Sequence, residues 1–266
     1  ERRDAARAGN GGRTGMFTTG MLSFGSGHQI ALFFTGANHA GENMHELLAA
    51  RVKALGPPIQ MCDALSRNLA REFEVILANC LSHARRNFVE IIADFPEACR
   101  HVIETLAEVY KHDETAKQRR LSAAERLQFH QQQSAPLMTE LRDWLERQFA
   151  EKKVEPNSSL GKAIAYLLNH WEPLTLFLRV PGAPLDNNLC EQILKQVIQH
   201  RKNSMFYKTE HGAYIGDLFM SLIHTCKLEK VNPFPYLNAL QKYAKVVLAN
   251  SGLWLPWNYQ AAIPPP

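Results

Sequence analysis

Two carboxylates, Asp63 and Glu191, stand where a metal-dependent phosphodiester chemistry would need them. Asp63 follows the short apolar run Ile59-Gln60-Met61-Cys62, which reads as a buried strand, so its side chain sits at the strand tip. Glu191 falls one turn into a helix opened by Pro184-Leu185-Asp186-Asn187-Asn188. A carboxylate at a strand end and another on a facing helix can share divalent cations, which activate an attacking oxygen and stabilise a leaving one. The usual third carboxylate is not visible. Each residue also has a plainer reading. Asp63 suits a helix N-cap or turn. Glu191 can pair with Lys195 at i,i+4, worth about 0.2–0.5 kcal/mol. Leu189, Ile193, Leu194, Val197 and Ile198 mark the buried stripe of that helix, and at ~100° per residue Glu191 lies just off its edge. Asp186, Asn187 and Asn188 serve equally well as residues that cap the helix and favour its positive end.

Three further groups carry chemistry. Cys80-Leu81-Ser82-His83 has the spacing of half a zinc site, but no second half appears, and a buried thiol with a backbone-bonded imidazole is the alternative. Arg85 and Arg86 follow it as a local positive patch. The basic run His200-Arg201-Lys202-Asn203, with Lys208 beyond it, can grip phosphates without reading sequence, and also suits a helix C-terminus. Phe206 and Tyr207 beside it could stack on bases or belong to the core.

The elements that must position these groups fall into two regimes. Thr14–Leu22 and Gln29–Phe34, with Gly25-Ser26-Gly27 between, predict a hairpin. Met44, Leu47, Leu48, Val52 and Leu55 fall at helical spacing, and Gly56-Pro57-Pro58 ends that helix. The Ile59–Cys62 strand follows, then a short helix over Ser66–Phe73, a strand over Val75–Ala78 and a helix over Ser82–Ile92. This is an α/β layer pattern. From Ala98 to about Trp171 the periodicity is helical, with a capping box at Ser122 and Glu125. The charged stretch Lys111–Arg120 reads as a solvated turn or helix end. Leu174–Val180 is apolar and β-prone. Helices are expected at Asn188–Arg201, Ala213–Cys226 and Pro235–Ala249, with an irregular Pro-rich tail from Trp254 to Pro266. No internal repeat is visible.

The bulk properties narrow the class. The chain has 266 residues, 45% of them hydrophobic, enough to bury a real core. A net charge of +4 permits a nucleic-acid partner without demanding one. No apolar stretch is long enough for a membrane span. The five cysteines are scattered with no C-x-x-C pair, which argues against a disulfide framework and for a reducing cytoplasm. Glu1–Gly15 is polar and Gly-rich and reads as a loop entered from an upstream segment of a longer protein.

Taken together, Asp186-Asn187-Asn188-Leu189-Cys190-Glu191, Arg201-Lys202-Asn203 with Phe206, and Ser221–Lys227 with Val231-Asn232-Pro233-Phe234 resemble the closing motifs of bacterial transposases of the insertion sequence 66 family. Ile59–Ala64 occupies the place of that family's second catalytic aspartate, Cys80–Arg86 resembles its Cys-x-x-His segment, and Pro256-Trp257-Asn258-Tyr259 its end. The resemblance spans nearly the whole chain in the right order. It implies a ribonuclease-H-like α/β fold with a mixed sheet: a first core part at 1–97, a helical insertion at 98–173, a last core part at 174–230 and a C-terminal helix and tail at 231–266. It implies an Asp-Asp-Glu triad on Mg²⁺ or Mn²⁺, with Asp63 the second Asp and Glu191 the Glu. DNA nicking at transposon ends and strand transfer into target DNA would be the reaction. Arg85, Arg86, Lys195, Arg201, Lys202 and Lys208 would face DNA, and Cys80, His83, Asn187 and Asn188 would be the remaining motif residues. The active protein would be a homo-oligomer, bacterial, cytoplasmic and nucleoid-associated.

The resemblance also implies a departure. The family's first catalytic Asp lies on a strand upstream of the hairpin, and Asp4 in the lead-in loop is a poor substitute. The expectation is therefore a sheet truncated at its first strand and a chain inactive by itself. The alternatives are a non-catalytic DNA-binding or oligomerising remnant of a transposase, and a helical scaffold in which Asp63 and Glu191 never meet.

Overall fold

The computed structural model describes residues 16–264 apart from Ser26, Lys53, Ala70, Arg71, Glu72, Met205 and Phe206. Asp4, Thr14 and Phe206, which entered the sequence reading, thus lie outside the described residues. In chain order the elements are β1 (Phe17–Gly25), β2 (His28–Gly36), α1 (Ala40–Ala49), β3 (Ile59–Cys62), β4 (Ile76–Asn79), α2 (Leu81–Val89), α3 (Pro96–Gln118), α4 (Ala123–Ala150), α5 (Ser159–Asn169), α6 (Trp171–Leu174), α7 (Asn188–Asn203), α8 (Glu210–Leu228), α9 (Pro233–Lys242), α10 (Ala244–Ala249) and α11 (Tyr259–Ala262). Short 3₁₀ turns occupy Ser66–Asn68, Leu176–Leu178 and Ser251–Trp254. The chain divides into two units: one joins the N-terminal part through Leu47 to Leu189–Pro266, and the other is Leu48–Asn188. This is a mixed α/β protein with small sheets. Among the described residues, no helix is long and apolar enough to cross a membrane.

In the first unit the expected hairpin forms, antiparallel from Phe17↔Gly36 to Gly25↔His28. Gly27 at its turn has φ +80°, a left-handed conformation that glycine adopts without a Cβ clash. The far edge of β2 meets a helix instead of a third strand. The amides of Gln29, Ala31, Phe33 and Thr35 donate to side chains of Glu229, Thr225, Ser221 and Asp217 respectively. Alternate strand residues thus match every fourth residue running down α8 and just past its end. The match follows from dimensions: two strand residues advance about 6.6 Å and four helical residues about 6 Å. Ala31, Phe33, Ile193 and Val197 form the core under the hairpin.

A second core in this unit gathers Cys226, Tyr236, Trp254 and Tyr259. It corrects two expectations for the C-terminus. The helix expected over Pro235–Ala249 is two helices, opened by Asn232 capping the Phe234 amide at 3.0 Å and interrupted at Tyr243. Tyr243 leaves helical geometry as its ring packs on Trp254, with centroids 5.5 Å apart. Part of the tail expected to be irregular is ordered into a 3₁₀ turn and α11, because the Tyr236 hydroxyl donates to the Trp254 carbonyl at 2.8 Å and Trp254 and Tyr259 are buried.

In the second unit β3 and β4 pair in parallel, Ile59↔Ile76 through Cys62↔Asn79. The helix expected over Ser66–Phe73 is a 3₁₀ turn at Ser66–Asn68 within the described residues. The core is built from Phe88, Val102, Leu106, Met138, Leu141, Leu145, Ile164 and Leu167, all nearly inaccessible. Of the two readings of Lys111–Arg120, turn or helix end, the structure has the helix end: α3 runs to Gln118 and stops where Arg120 takes φ 54°. The reason is Asp113, which is buried and gathers Lys117 at 2.8 Å and Arg126 at 2.7 Å, so this charged stretch has an inward face. α4 opens on the predicted Ser122–Glu125 capping box. Leu174–Val180 is not a strand. Its backbone is satisfied locally, with Thr175 N to Trp171 O at 2.9 Å and Val180 N to Leu176 O at 3.0 Å, while Leu174, Leu176 and Phe177 enter the helical core.

Candidate functional site

Asp63 lies immediately past the carboxyl end of β3, and Cys80 immediately past that of β4. The Cys80 amide donates to the Cys62 carbonyl at 3.0 Å, which carries the pairing of the two strands to this end. Asp63 is half-buried. Its Oδ1 accepts from the Asn68 side chain and, at 3.4 Å, from the Leu65 amide, so the 3₁₀ turn orients the carboxylate through one oxygen. Asp63 is felt by its neighbours. The Cys62 thiol is pushed up to about 12 by burial first, and then by the charges of Asp63 and Cys80. The Tyr166 hydroxyl is raised by burial and then by Asp63.

Cys80 is buried and precedes α2, whose first turn carries His83. Burial raises the Cys80 thiol, while hydrogen bonds from the Asn187, His83 and Ser82 backbones draw it back and the Asp186 charge adds to the rise. The Asp186–Asn188 segment therefore lies against the start of α2, where the Leu81 amide donates to the Leu185 carbonyl at 3.0 Å. Asp186 caps the next helix: Oδ1 accepts the Asn188 amide at 3.0 Å and Oδ2 the Asn188 side chain at 2.9 Å. Tyr110 on α3 has a buried hydroxyl, raised by burial and then by Asp186. Asn187 Oδ1 is buried and has no hydrogen-bond partner among the described residues. The second unit thus brings Asp63, Cys80, His83, Asn187 and Asn188 to one end of its strand pair. Arg85 is half-buried on α2 and Arg86 exposed.

Glu191 belongs to the first unit, in the first turn of α7 and half-buried. Its helix rests on the hairpin. The Cys190 thiol donates to the Gly20 carbonyl at 3.3 Å and is pushed up to about 11 by burial, then by the Glu191 charge. Leu194 lies over Gly20, where an added Cβ would come within 3.2 Å of it. Lys195, Lys202 and Lys208 are exposed. Arg201 differs: it is half-buried and donates to the Thr18 hydroxyl. Tyr207 packs its ring against Gly216, where a Cβ would strike the phenol, and burial raises its hydroxyl.

Sequence reasoning missed Asn68, Tyr110, Tyr166 and Asp217. The signal for Asp217 was present in Asp217-x₃-Ser221-x₃-Thr225-x₃-Glu229, a stripe of hydrogen-bonding side chains at helical spacing. For the other three no spacing pointed to a role.

Comparison with known proteins bears on what this arrangement serves. The profile described as "Transposase IS66 family" matches residues 13–215. The chain is 34% identical over 190 residues to the uncharacterized protein y4jD of Sinorhizobium fredii, covering 70% of this chain and 36% of that protein. It is 27% identical over 252 residues to the uncharacterized protein y4hP of the same organism, covering 90% of this chain and 45% of y4hP. The chain thus spans less than half the length of these relatives. No solved structure matches it.

Proposed function

The chain belongs to the IS66 transposase family, and from that premise we propose that it carries catalytic residues of a metal-dependent DNA nicking and strand-transfer reaction at transposon ends. The observation that supports this most is the position of Asp63, half-buried at the carboxyl end of a parallel strand pair and oriented through one oxygen. In α/β proteins ligands collect at the carboxyl ends of the strands. In this reading the core is ribonuclease-H-like, formed by 1–97 and 174–230, with 98–173 inserted and 231–266 as a C-terminal addition.

Asp63 and Glu191 would hold Mg²⁺ or Mn²⁺. Their hard carboxylate oxygens fit such ions, whereas the soft sulfur of Cys80 does not. When bound, the metal would supply Lewis-acid activation of the attacking oxygen and stabilisation of the leaving one. The protein's share is to hold the carboxylates: Asn68 and the Leu65 amide fix Asp63, and the Cys190–Gly20 contact fixes the start of the Glu191 helix. Exposed Arg86, Lys195, Lys202 and Lys208, with Arg85, would contact phosphates of transposon-end and target DNA. A homo-oligomer, bacterial, cytoplasmic and nucleoid-associated, completes the proposal.

The test is a Mg²⁺- or Mn²⁺-dependent nicking assay on this chain and on a version joined to an upstream strand that supplies a further carboxylate. Activity in either form that is lost in both Asp63→Ala and Glu191→Ala supports the reading. Activity indifferent to both substitutions overturns the assignment of the two carboxylates. Silence in both forms, with salt-dependent DNA binding retained, favours the second reading, a non-catalytic DNA-binding remnant, to which the same exposed cations lend support.

A further inference from the structure

The C-terminal half of α7 is tied to the hairpin by a chain of four polar side chains. Arg201 donates to Thr18 Oγ1. Thr18 Oγ1 and Thr35 Oγ1 are 3.0 Å apart, on residues directly opposite in the hairpin register. Thr35 donates its hydroxyl to Asp217 Oδ1 at 2.8 Å and its amide to Asp217 Oδ2. A hydroxyl has one proton to give, so the direction is set. Thr35 spends its proton on Asp217, Thr18 therefore donates to Thr35, and Arg201 donates to Thr18. A charge stands at each end of this relay, and every bond in it points from the guanidinium toward the carboxylate. Such chains polarise and strengthen one another. Asp217 is 6% exposed, too buried to serve as a surface acid.

The other end of α7 is held differently. Cys190 touches the Gly20 carbonyl, and Leu194 closes over Gly20 because glycine has no Cβ there. Cys190, Leu194, Val197 and Arg201 are spaced i, i+4, i+7 and i+11, one face of the helix. Glu191 stands one residue from the first of these contacts. Between the two ends Ile193 and Val197 pack in the core under the hairpin, but apolar contacts are non-directional, so the polar tie at Arg201 is what fixes the helix about its axis, where one residue of rotation swings a side chain by about 100°.

We propose that Arg201 and Asp217 are positioning residues that set the rotation and axial position of the helix carrying Glu191, and that Arg201 is thereby withdrawn from the set of phosphate contacts. This rests on the reading of Glu191 as a metal ligand, so its test has one arm that needs no activity.

The Cys190 thiol reports the docking of α7. Its alkylation by iodoacetamide, located by peptide mass spectrometry, is followed in the unsubstituted protein and in Arg201→Ala, Asp217→Asn, Thr18→Val, Thr18→Ser and Lys202→Ala. Loosening of the helix predicts that Arg201→Ala, Asp217→Asn and Thr18→Val each raise the Cys190 rate by about tenfold, as expected for an opening made more frequent by loss of a buried hydrogen bond. Thr18→Ser, which keeps the hydroxyl, and Lys202→Ala leave it unchanged. Circular dichroism verifies that each variant is folded, and Thr18→Val carries the test if either charge substitution is not. Unchanged Cys190 protection in all three overturns the proposal. In whichever form of the protein nicks DNA, Arg201→Ala lowers kcat with KM for DNA and its salt dependence retained, whereas Lys202→Ala weakens DNA binding and flattens the salt slope. An Arg201→Ala variant that behaves as Lys202→Ala does also overturns it. Absence of nicking altogether bears on the functional reading and leaves the thiol arm to decide.

Discussion

The hydroxyl of Thr225 accepts the Ala31 amide at 3.0 Å and donates back to the Ala31 carbonyl at 3.3 Å, so one helical side chain satisfies both backbone groups of a buried strand residue. Thr225 stands in for the neighbouring strand that Ala31 would otherwise need. Thr225→Val keeps the shape and removes both bonds. It is expected to cost about 1–3 kcal/mol for each backbone group left buried and unpaired. Thr225→Ser, which keeps the hydroxyl, is expected to recover most of that in guanidinium unfolding.

Asp113 is the acid-sensitive point of the second unit. Burial alone would raise its carboxyl, but hydrogen bonds from His130 and Lys117 and the charges of Arg126 and Lys117 outweigh it and hold the carboxyl below its ordinary range. The folded pKa is thus below the unfolded value. The stability it contributes is fully present above the ordinary carboxylate pKa of about 3.9 and is lost as pH falls through the folded value. Asp113→Asn should cost about 1–3 kcal/mol at neutral pH, because the bonds from Arg126 and Lys117 to a buried carboxylate are lost while the cations themselves reach solvent. The difference from the parent should shrink as the acid limb is approached, read from thermal unfolding at a series of pH values.

Ser134, His130 and Asp113 line up as the members of a hydrolytic triad do but with the two imidazole nitrogens exchanged, Ser134 Oγ lying 2.9 Å from His130 Nδ1 and His130 Nε2 3.2 Å from Asp113 Oδ1. Their burial argues against that use, since Ser134 is 0% and His130 1% exposed. His112 Nδ1 also lies 3.1 Å from Ser134 Oγ, and burial lowers the pKa of this imidazole. The network holds α3 to α4. A serine-directed fluorophosphonate is therefore expected to leave Ser134 unlabelled in the folded protein. Labelling there would mean that the two helices open.

Gly161 is where a single methyl group should do the most harm. A Cβ there would meet the Glu155 carbonyl oxygen at 2.3 Å and that of Pro156 at 2.7 Å, and backbone atoms cannot swing aside as a side chain can. Gly161→Ala is expected to lower the melting temperature, at a cost of about 1–3 kcal/mol typical of overpacking. Gly25→Ala, with nothing within 4 Å of its added Cβ, serves as the matched control.

Legibility followed the range of the interactions. The hairpin, β3 and the Ser122 cap were readable because alternation, a short apolar run between turn residues and a capping box are all encoded within a few positions. Leu174–Val180 was misread because an apolar run has the same composition whether it forms a strand or a buried helical turn. Lys111–Arg120 was read correctly as a helix end, but nothing local shows that Asp113 within it draws two cations to a buried acid. Asp63 and Glu191 could be named from their places at a strand tip and in a first helical turn, but not the partners that hold Asp63, since Asn68 acts through a turn that forms only in the folded chain.

By itself the sequence determined which side chains are candidates for chemistry, Asp63 and Glu191 among them, and membership in a family that the profile match bears out. Those properties reside in side-chain type and in spacing along one element, which the chain carries before it folds. The tertiary structure alone decided which polar groups are used up internally. Arg201 and Lys202 are adjacent in sequence, yet one donates to Thr18 while the other is exposed. A helix turns about 100° between consecutive residues, so neighbours in the chain face different surroundings. Which surroundings those are depends on a hairpin more than 150 positions earlier in the chain.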